Sequence, residues 1–480
     1  MLFTEPEFLF LFLPVVLGLT FLAPRPARNL VLFLASLFFY AAGEGVYALI
    51  MVASVIFNYF AGLAIQDQTN PRRRKAWLGV AVAANLAALG WFKYAGFLAD
   101  NLNGLVKVAH LPVIETPYVH LPAGISFFTF HSLSYVIDVY RGQVSAMRNP
   151  LDFGLYISFF PQLIAGPIVR FKTIAKQIVD RRVRLDGFAA GARRFIFGLA
   201  KKLIIADTVA QLADRAFATS KAHLTPSLAW LGLICYTLQI YYDFSGYSDM
   251  AIGMARMFGF RFLENFRYPY VAQSITEFWR RWHISLSSWF RDYLYIPLGG
   301  NRVSPRRTYA NLCIVFLLCG IWHGASWTFV VWGLLHGGFL VAERAGLGAW
   351  LKQRNRFLRH GYALLVVMIA WVVFRAHSIG AAGTYLLAMF GLTRATADPG
   401  LQINSAVLLA IVIGILFSFP LIKWIRAAWL RQVRSAGAVR QELIYVAGRM
   451  VGMAVLAMNM ILSLMLSAAG THSPFIYFRF

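Results

Sequence analysis

The sequence predicts an all-α, polytopic membrane helical bundle, and three observations carry that expectation. Hydrophobic residues make up 59% of the 480 and only 14% are charged, with a mean hydropathy of +0.61; a soluble chain of that composition could not cover itself with polar surface. Apolar runs of near-spanning length recur throughout, and helices satisfy their own backbone groups in lipid. The Lys and Arg residues that give the net charge of +25 sit in the loops between those runs. That placement is the positive-inside bias of a membrane protein, so nucleic acid is excluded as a partner and membrane lipid is expected. At about 20 residues per crossing the chain has room for roughly ten to thirteen spans. No long polar linker interrupts it, which favours one unit over residues 1–480.

The first span covers 8–22 and stops at the Pro24 and Pro26 turn. Glu5 and Glu7 precede it and Arg25 and Arg28 follow, the reverse of a cleavable signal peptide. An uncleaved span with a periplasmic N-terminus is expected. Runs at 30–40 and 46–65 form a pair that returns the chain to the same face at the basic loop PRRRK, 71–75. Residues 77–98 cross outward. The run 121–140 carries His131 and Asp138, polar groups that could line a cavity. Residues 151–169 are broken by Pro161 and Pro167 around Gly166, so this piece is expected to be re-entrant and covered by protein. Helices follow at 195–213 and 228–258, the second with Asp243 and Asp249 among apolar neighbours.

The central stretch is 275–343. It opens with ITEFWRRWHISLSSWFRDYLYIPLGGNR, read as one interfacial helix with Trp279, Trp282, His283, Leu286 and Phe290 on one face and Arg280, Ser287 and Arg291 on the other. An apolar segment with GIWHGASW follows. His323 lies there between two greasy runs, where an imidazole is costly and calls for a partner or a job. Further elements are expected at 361–374, 384–392, 407–419 and 451–469. A basic cytoplasmic loop at 423–449, with five Arg and one Lys against one Glu, precedes the last span. The tail SPFIYFRF, 473–480, is then external.

His323 is the sharpest candidate. A neutral imidazole can take the proton of an attacking hydroxyl, Gly320, Gly324 and Ala325 would leave room for a ligand, and Trp322 and Trp327 could wall the space. The bland alternative is a buried histidine bonded to a neighbouring helix. His283 reads either as a second catalytic group or as an interfacial ring. On a continuous helix His336 would stand about 220° and roughly 20 Å from His323, so it is read as structural. Asp243 and Asp249 are suspects for substrate binding, against the plainer reading that Arg256 or Arg261 pairs with them to lock two helices. Arg280 and Arg291, with neighbouring arginines, could hold donor phosphates or lipid headgroups. Tyr477 is a phenol that could carry an acyl group, or an interfacial anchor. Cys235, Cys313 and Cys319 lack metal-like spacing, and no metal is expected.

The segments ISFFTFHSLSYVIDVYRG, FFPQLIAGPIVR, YYDFSGYSDMAIG, FWRRWHISLSSWFRDYLYIPLGGNR and GIWHGASW resemble the membrane-bound O-acyltransferase family, in particular its bacterial alginate O-acetylation branch. The resemblance implies helices arranged around a tunnel, with His323 matching the family's catalytic histidine and His283 its second characteristic one. It also implies acetyl-CoA as donor from the cytoplasm, an exopolysaccharide hydroxyl as acceptor, and a periplasmic acetyl-handling partner resembling SGNH hydrolases. The terminal FIYFRF is similar to a separate aromatic-tyrosine tail in a related D-alanylation system, which moves Tyr477 toward an acyl relay. The expected function is transfer of acetyl across the bacterial inner membrane. Two rivals are a transporter or flippase of an acyl donor or glycan, and a non-catalytic scaffold of an export complex. The absence of an internal repeat argues against the transporter.

Overall fold

A computed structural model describes residues 1–117, 119–164, 166–393, 403–435 and 437–470, and every regular element among them is helical. A π-helical turn leads into α1 (Leu13–Leu22), followed by α2 (Arg28–Glu44), α3 (Ala48–Asp67) and α4 (Pro71–Val108). Then come α5 (Ile125–Tyr140), the short α6 (Pro150–Ser158) and α7 (Phe160–Leu163), α8 (Phe171–Val179), α9 (Leu185–Ala200), α10 (Asp207–Ala218) and α11 (Pro226–Met257). The central stretch supplies α12 (Ile275–Trp279), α13 (Ile284–Phe290), α14 (Pro305–His323) and α15 (Trp327–Ala342). The rest forms α16 (Gly348–Lys352), α17 (Arg356–Arg375), α18 (Ile379–Met389), α19 (Ser405–Ser418), α20 (Leu421–Ser435) and α21 (Ala438–Ala468).

The helix starts follow from local sequence. Asn70 accepts from the backbone N–H groups of Arg72 and Arg73, and Thr225 from that of Leu228. Proline then occupies the first position of α4 and α11, where its missing N–H costs nothing.

Among the described residues four helical runs are long and apolar enough to span: Arg25–Asp67, Pro71–Val108, Arg356–Arg375 and Val439–Ala468. A fifth would be α19 with α20, bent by 64°. The first run is 43 residues long, about twice one crossing. Gly45, at φ 57°, breaks it into the expected pair. Several of the remaining helices are shorter, and some of them lie in the interior. Both α5 and α11 are buried along nearly their whole length, so lipid imposes neither length nor uniform apolarity on them. The proline-broken stretch divides into α6 and α7, with residues 153–163 buried and the Phe160 N–H donating to Ser36 Oγ at 3.1 Å. The basic segment read as a loop at 423–449 is helical instead, forming most of α20 and the start of α21.

Close backbone contact holds the interior together. A Cβ on Gly198 would lie 2.7 Å from the carbonyl oxygen of Gly246, and one on Gly253 would lie 2.7 Å from that of Gly191. The two glycine pairs, seven residues apart on each helix, let α9 and α11 touch at the main chain. Lysines and arginines on the α9 side then reach the carboxylates of α11.

Candidate active site

The central stretch is closed on itself by its last residue. Glu343 accepts from the backbone N–H of Ile275 at 2.5 Å, and from the N–H and hydroxyl of Thr276 at 3.0 and 2.6 Å. These are the donors a helix start leaves without partners, so one buried carboxylate ties the start of α12 to the end of α15.

The expected single interfacial helix does not form. The chain leaves helical geometry after Trp279, and His283 adopts the left-handed region at φ 42° before α13 begins. The anticipated burial pattern survives the break: Trp279, Trp282, His283, Leu286 and Phe290 are buried, while Arg280 and Arg291 are exposed. A left-handed residue other than glycine costs energy and persists only where its surroundings fix it. Here the fixing residue is Asn265, which the sequence reading missed. Asn265 Oδ1 accepts from the Ser285 N–H at 3.2 Å and its hydroxyl at 2.9 Å, and lies 3.2 Å from His283 Nδ1. Its amide nitrogen donates to Ser248 on α11 at 2.9 Å. A carbonyl oxygen only accepts, which assigns the His283 proton to Nδ1 and leaves a lone pair on Nε2. Among the described residues that Nε2 has no hydrogen-bond partner.

His323 is the last residue of α14 and is 4% exposed. Its ring meets Trp322 at 4.8 Å between centroids, Trp332 at 5.0 Å and Phe374 at 5.3 Å, all edge-on. Trp322 therefore packs directly against the imidazole, whereas Trp327 lies toward the surface. It is 56% exposed and donates to Asn101 at 2.9 Å, so Trp332 and Phe374 take the place assigned to it. The glycines allow close packing. A Cβ on Gly320 would lie 2.2 Å from the carbonyl oxygen of Phe329, one on Gly333 2.3 Å from that of Phe316, and one on Gly324 2.1 Å from the Phe329 ring. At these positions α14 and α15 come into contact.

The separation calculated for His336 also fails, because α14 ends at His323 and the chain turns back into α15. Trp332 lies 5.0 Å from each of the two imidazoles, and His336 Nδ1 accepts from Trp279 Nε1 at 3.3 Å. His283 reaches the same aromatic group, with its ring 6.2 Å from that of Trp322. Three imidazoles thus share one tryptophan-lined interior. In so apolar a place the neutral form of imidazole is the cheap one, which keeps the lone pair that a base needs.

Asp243 and Asp249 are taken up elsewhere. Lys202 Nζ lies 2.8 Å from Asp243 and 2.7 Å from Asp207, while Arg194 and Lys201 lie 2.7 and 2.6 Å from Asp249. The helix-locking alternative describes this geometry, but its partners come from the α9 side and not from Arg256 or Arg261. Asp138 accepts the Tyr293 hydroxyl at 2.8 Å on each oxygen. His131 is fully buried, and among the described residues both of its ring nitrogens lack hydrogen-bond partners. Arg291 donates to Asp292 at 2.7 Å, and Arg170 pairs with the same carboxylate. Partial burial works against that charge, but the bonds from Arg291 and the field of Arg170 hold the carboxyl below its usual range. Tyr477 lies outside the described residues. Among the described residues no group of three His, Cys, Asp or Glu side chains is arranged to hold a metal.

The family model described as membrane-bound O-acyltransferase matches residues 108–384, which contain both histidines and helices α5 to α17. A probable alginate O-acetylase of Azotobacter vinelandii is 47% identical over 423 residues, covering 86% of this chain and 84% of that one. A second, from Pseudomonas putida, is 43% identical over the full length of both chains. A peptidoglycan O-acetyltransferase of Helicobacter pylori is 41% identical over 430 residues, covering 82% and 80%. With a buried imidazole pair inside a helical membrane bundle and similarity over its whole length, the chain belongs to the membrane-bound O-acyltransferase family.

Proposed function

We propose that this membrane O-acyltransferase moves acetyl from cytoplasmic acetyl-CoA to the periplasmic side of the bacterial inner membrane, for O-acetylation of an exopolysaccharide such as alginate. The observation that supports it best is the placement of His283 and His323 on one buried indole within the part of the chain that matches the family. His323 acts as general base. It takes the proton of an attacking hydroxyl, the new C–O bond forms at the acetyl carbonyl carbon, and the C–S bond breaks. The proton then passes to the departing thiolate, giving the acetyl ester and free coenzyme A with no metal required. His283, with its lone pair on Nε2, orients the thioester. Donor and acceptor must both reach a ring that is 4% exposed, so the proposal requires a passage past the aromatic walls.

Tyr477 serves as external relay, holding acetyl before an SGNH-hydrolase-like periplasmic partner delivers it to the polymer. The termini are periplasmic in this reading, consistent with the charges that flank the first and last spans. Among relatives of similar identity one is named for alginate and another for peptidoglycan, so the acceptor class is polysaccharide and alginate is the narrower assignment.

Radiolabelled acetyl-CoA supplied to purified protein tests this. His323→Ala is expected to lower turnover by about 10²–10⁴-fold, and undiminished turnover would remove the assignment. Tyr477→Phe should keep thioester hydrolysis and lose polymer labelling; full labelling would end the relay.

A further inference from the structure

The carbonyl end of α14 raises a problem that the rest of the helix does not. A helix leaves its last four carbonyls without intrahelical partners, and in a membrane interior each one costs free energy if left bare. At α14 these belong to residues 320–323, and Gly324 continues in extended geometry at φ −171°. Two neighbouring residues of α4 meet three of the four. Lys93 Nζ donates to the Trp322 carbonyl at 2.6 Å and to that of His323 at 3.1 Å, and the Tyr94 hydroxyl donates to that of Ile321 at 2.7 Å. The same ammonium lies 5.8 Å from the centre of the Trp322 ring. Elsewhere α4 buries Ala81, Asn85 and Leu89 and exposes Leu86, Trp91 and Leu98. A lysine inside such a span is expensive, and an apolar residue would serve packing better.

We propose that Lys93, with Tyr94 beside it, is a positioning residue for acyl transfer: its ammonium fixes the carbonyl end of α14 and so holds the His323 imidazole on line with the reacting carbonyl. The inference rests on His323 being the base. The ammonium does not touch the imidazole through these bonds; it holds the main chain at the point from which the ring projects. Its positive charge also offsets the partial negative charge that gathers at a helix carboxyl end. The base therefore depends on a helix distant in sequence, and a loosened α4 would release it.

Lys93→Met, Lys93→Arg, Tyr94→Phe and His323→Ala test this in the purified full-length protein, after gel filtration in detergent shows each variant to be monodisperse. Lys93→Met is expected to lower kcat by about 10²-fold, the cost of a base displaced by about 1 Å, with the KM for acetyl-CoA changed less than about two-fold. Lys93→Arg, which keeps a cation and its donors, recovers most of that loss. Hydrogen exchange at the amides of residues 320–327 should accelerate in Lys93→Met, and less so in Tyr94→Phe. Native kcat in Lys93→Met, equal damage to kcat and KM, an arginine no better than methionine, or unchanged exchange would each overturn the inference. If His323→Ala alone keeps native turnover, the base assignment fails first, and that failure is visible independently of any Lys93 variant.

Discussion

His283 and His323 meet the same indole: their rings lie 6.2 and 4.8 Å from that of Trp322. They are forty residues apart and stand on opposite sides of a basic loop, yet each is brought there by a break in a helix. His283 sits at the left-handed residue between α12 and α13, and His323 at the carboxyl end of α14.

Asn265 is the residue that holds one of those breaks in place. Asn265→Ala removes the acceptor for Ser285 and His283 and leaves buried donors without partners, a cost of about 1–3 kcal/mol. Turnover should fall by about 10²-fold as His283 loses its orientation, and Asn265→Asp, which keeps an acceptor, should fall less. Equal turnover in the alanine variant and the native protein would separate His283 from the chemistry.

Lys202 neutralises two buried carboxylates, Asp207 and Asp243. Lys202→Met removes this cation from both and should cost about 3–5 kcal/mol. Asp243→Asn should cost less, because Asp207 still pairs with the lysine. Thermal unfolding in detergent measures the order, and the KM for acetyl-CoA should stay unchanged in both. A KM raised by Asp243→Asn alone would return that carboxylate to substrate binding.

Gly333 and Gly338 lie on the same helix in opposite circumstances. A Cβ on Gly333 would press on the carbonyl oxygen of Phe316, whereas one on Gly338 meets nothing within 4 Å. Gly333→Ala should therefore destabilise by about 1–3 kcal/mol and reduce turnover, since α14 carries His323. Gly338→Ala should be neutral or stabilising by up to about 1 kcal/mol. Equal effects in melting and activity assays would show that close approach of α14 and α15 does not matter.

Asp292 has its carboxyl depressed by Arg291 and Arg170, so it stabilises the fold while ionised. The sign follows from linkage. Its contribution is present above the unfolded carboxylate value of about 3.9 and is lost as pH falls through the lower folded value. Asp292→Asn should melt below the native protein at pH 7, with the gap closing as the pH is taken below about 4. A gap that stays constant down to that pH would mean packing, not charge, is responsible.

Much of the molecule was legible in the chain. Apolar runs and arginine placement gave the membrane bundle, and the prolines at 161 and 167 gave the broken, covered piece. The burial of Trp282, Leu286 and Phe290 opposite Arg280 and Arg291 also followed from spacing. The partners were not legible. Nothing near Asp243 in sequence announces Lys202, and Asn265 lies in a segment with no motif of its own. Hydropathy alone does not tell an interior helix such as α5 from one that faces lipid, because both are apolar. Nothing in the sequence marks which way Trp327 points, and only the direction of the helix decides it.

By itself the sequence determined the environment of this protein and the residue types available for its chemistry, because solvent preference and helical periodicity are local properties. The tertiary structure decided which of those residues meet. Helix breaks at His283 and His323, the glycine contacts between α14 and α15, and the reach of Lys93 from α4 depend on groups far apart in the chain. Such contacts are set by packing and by the cost of leaving a buried polar group bare, and neither leaves a regular mark on the order of residues.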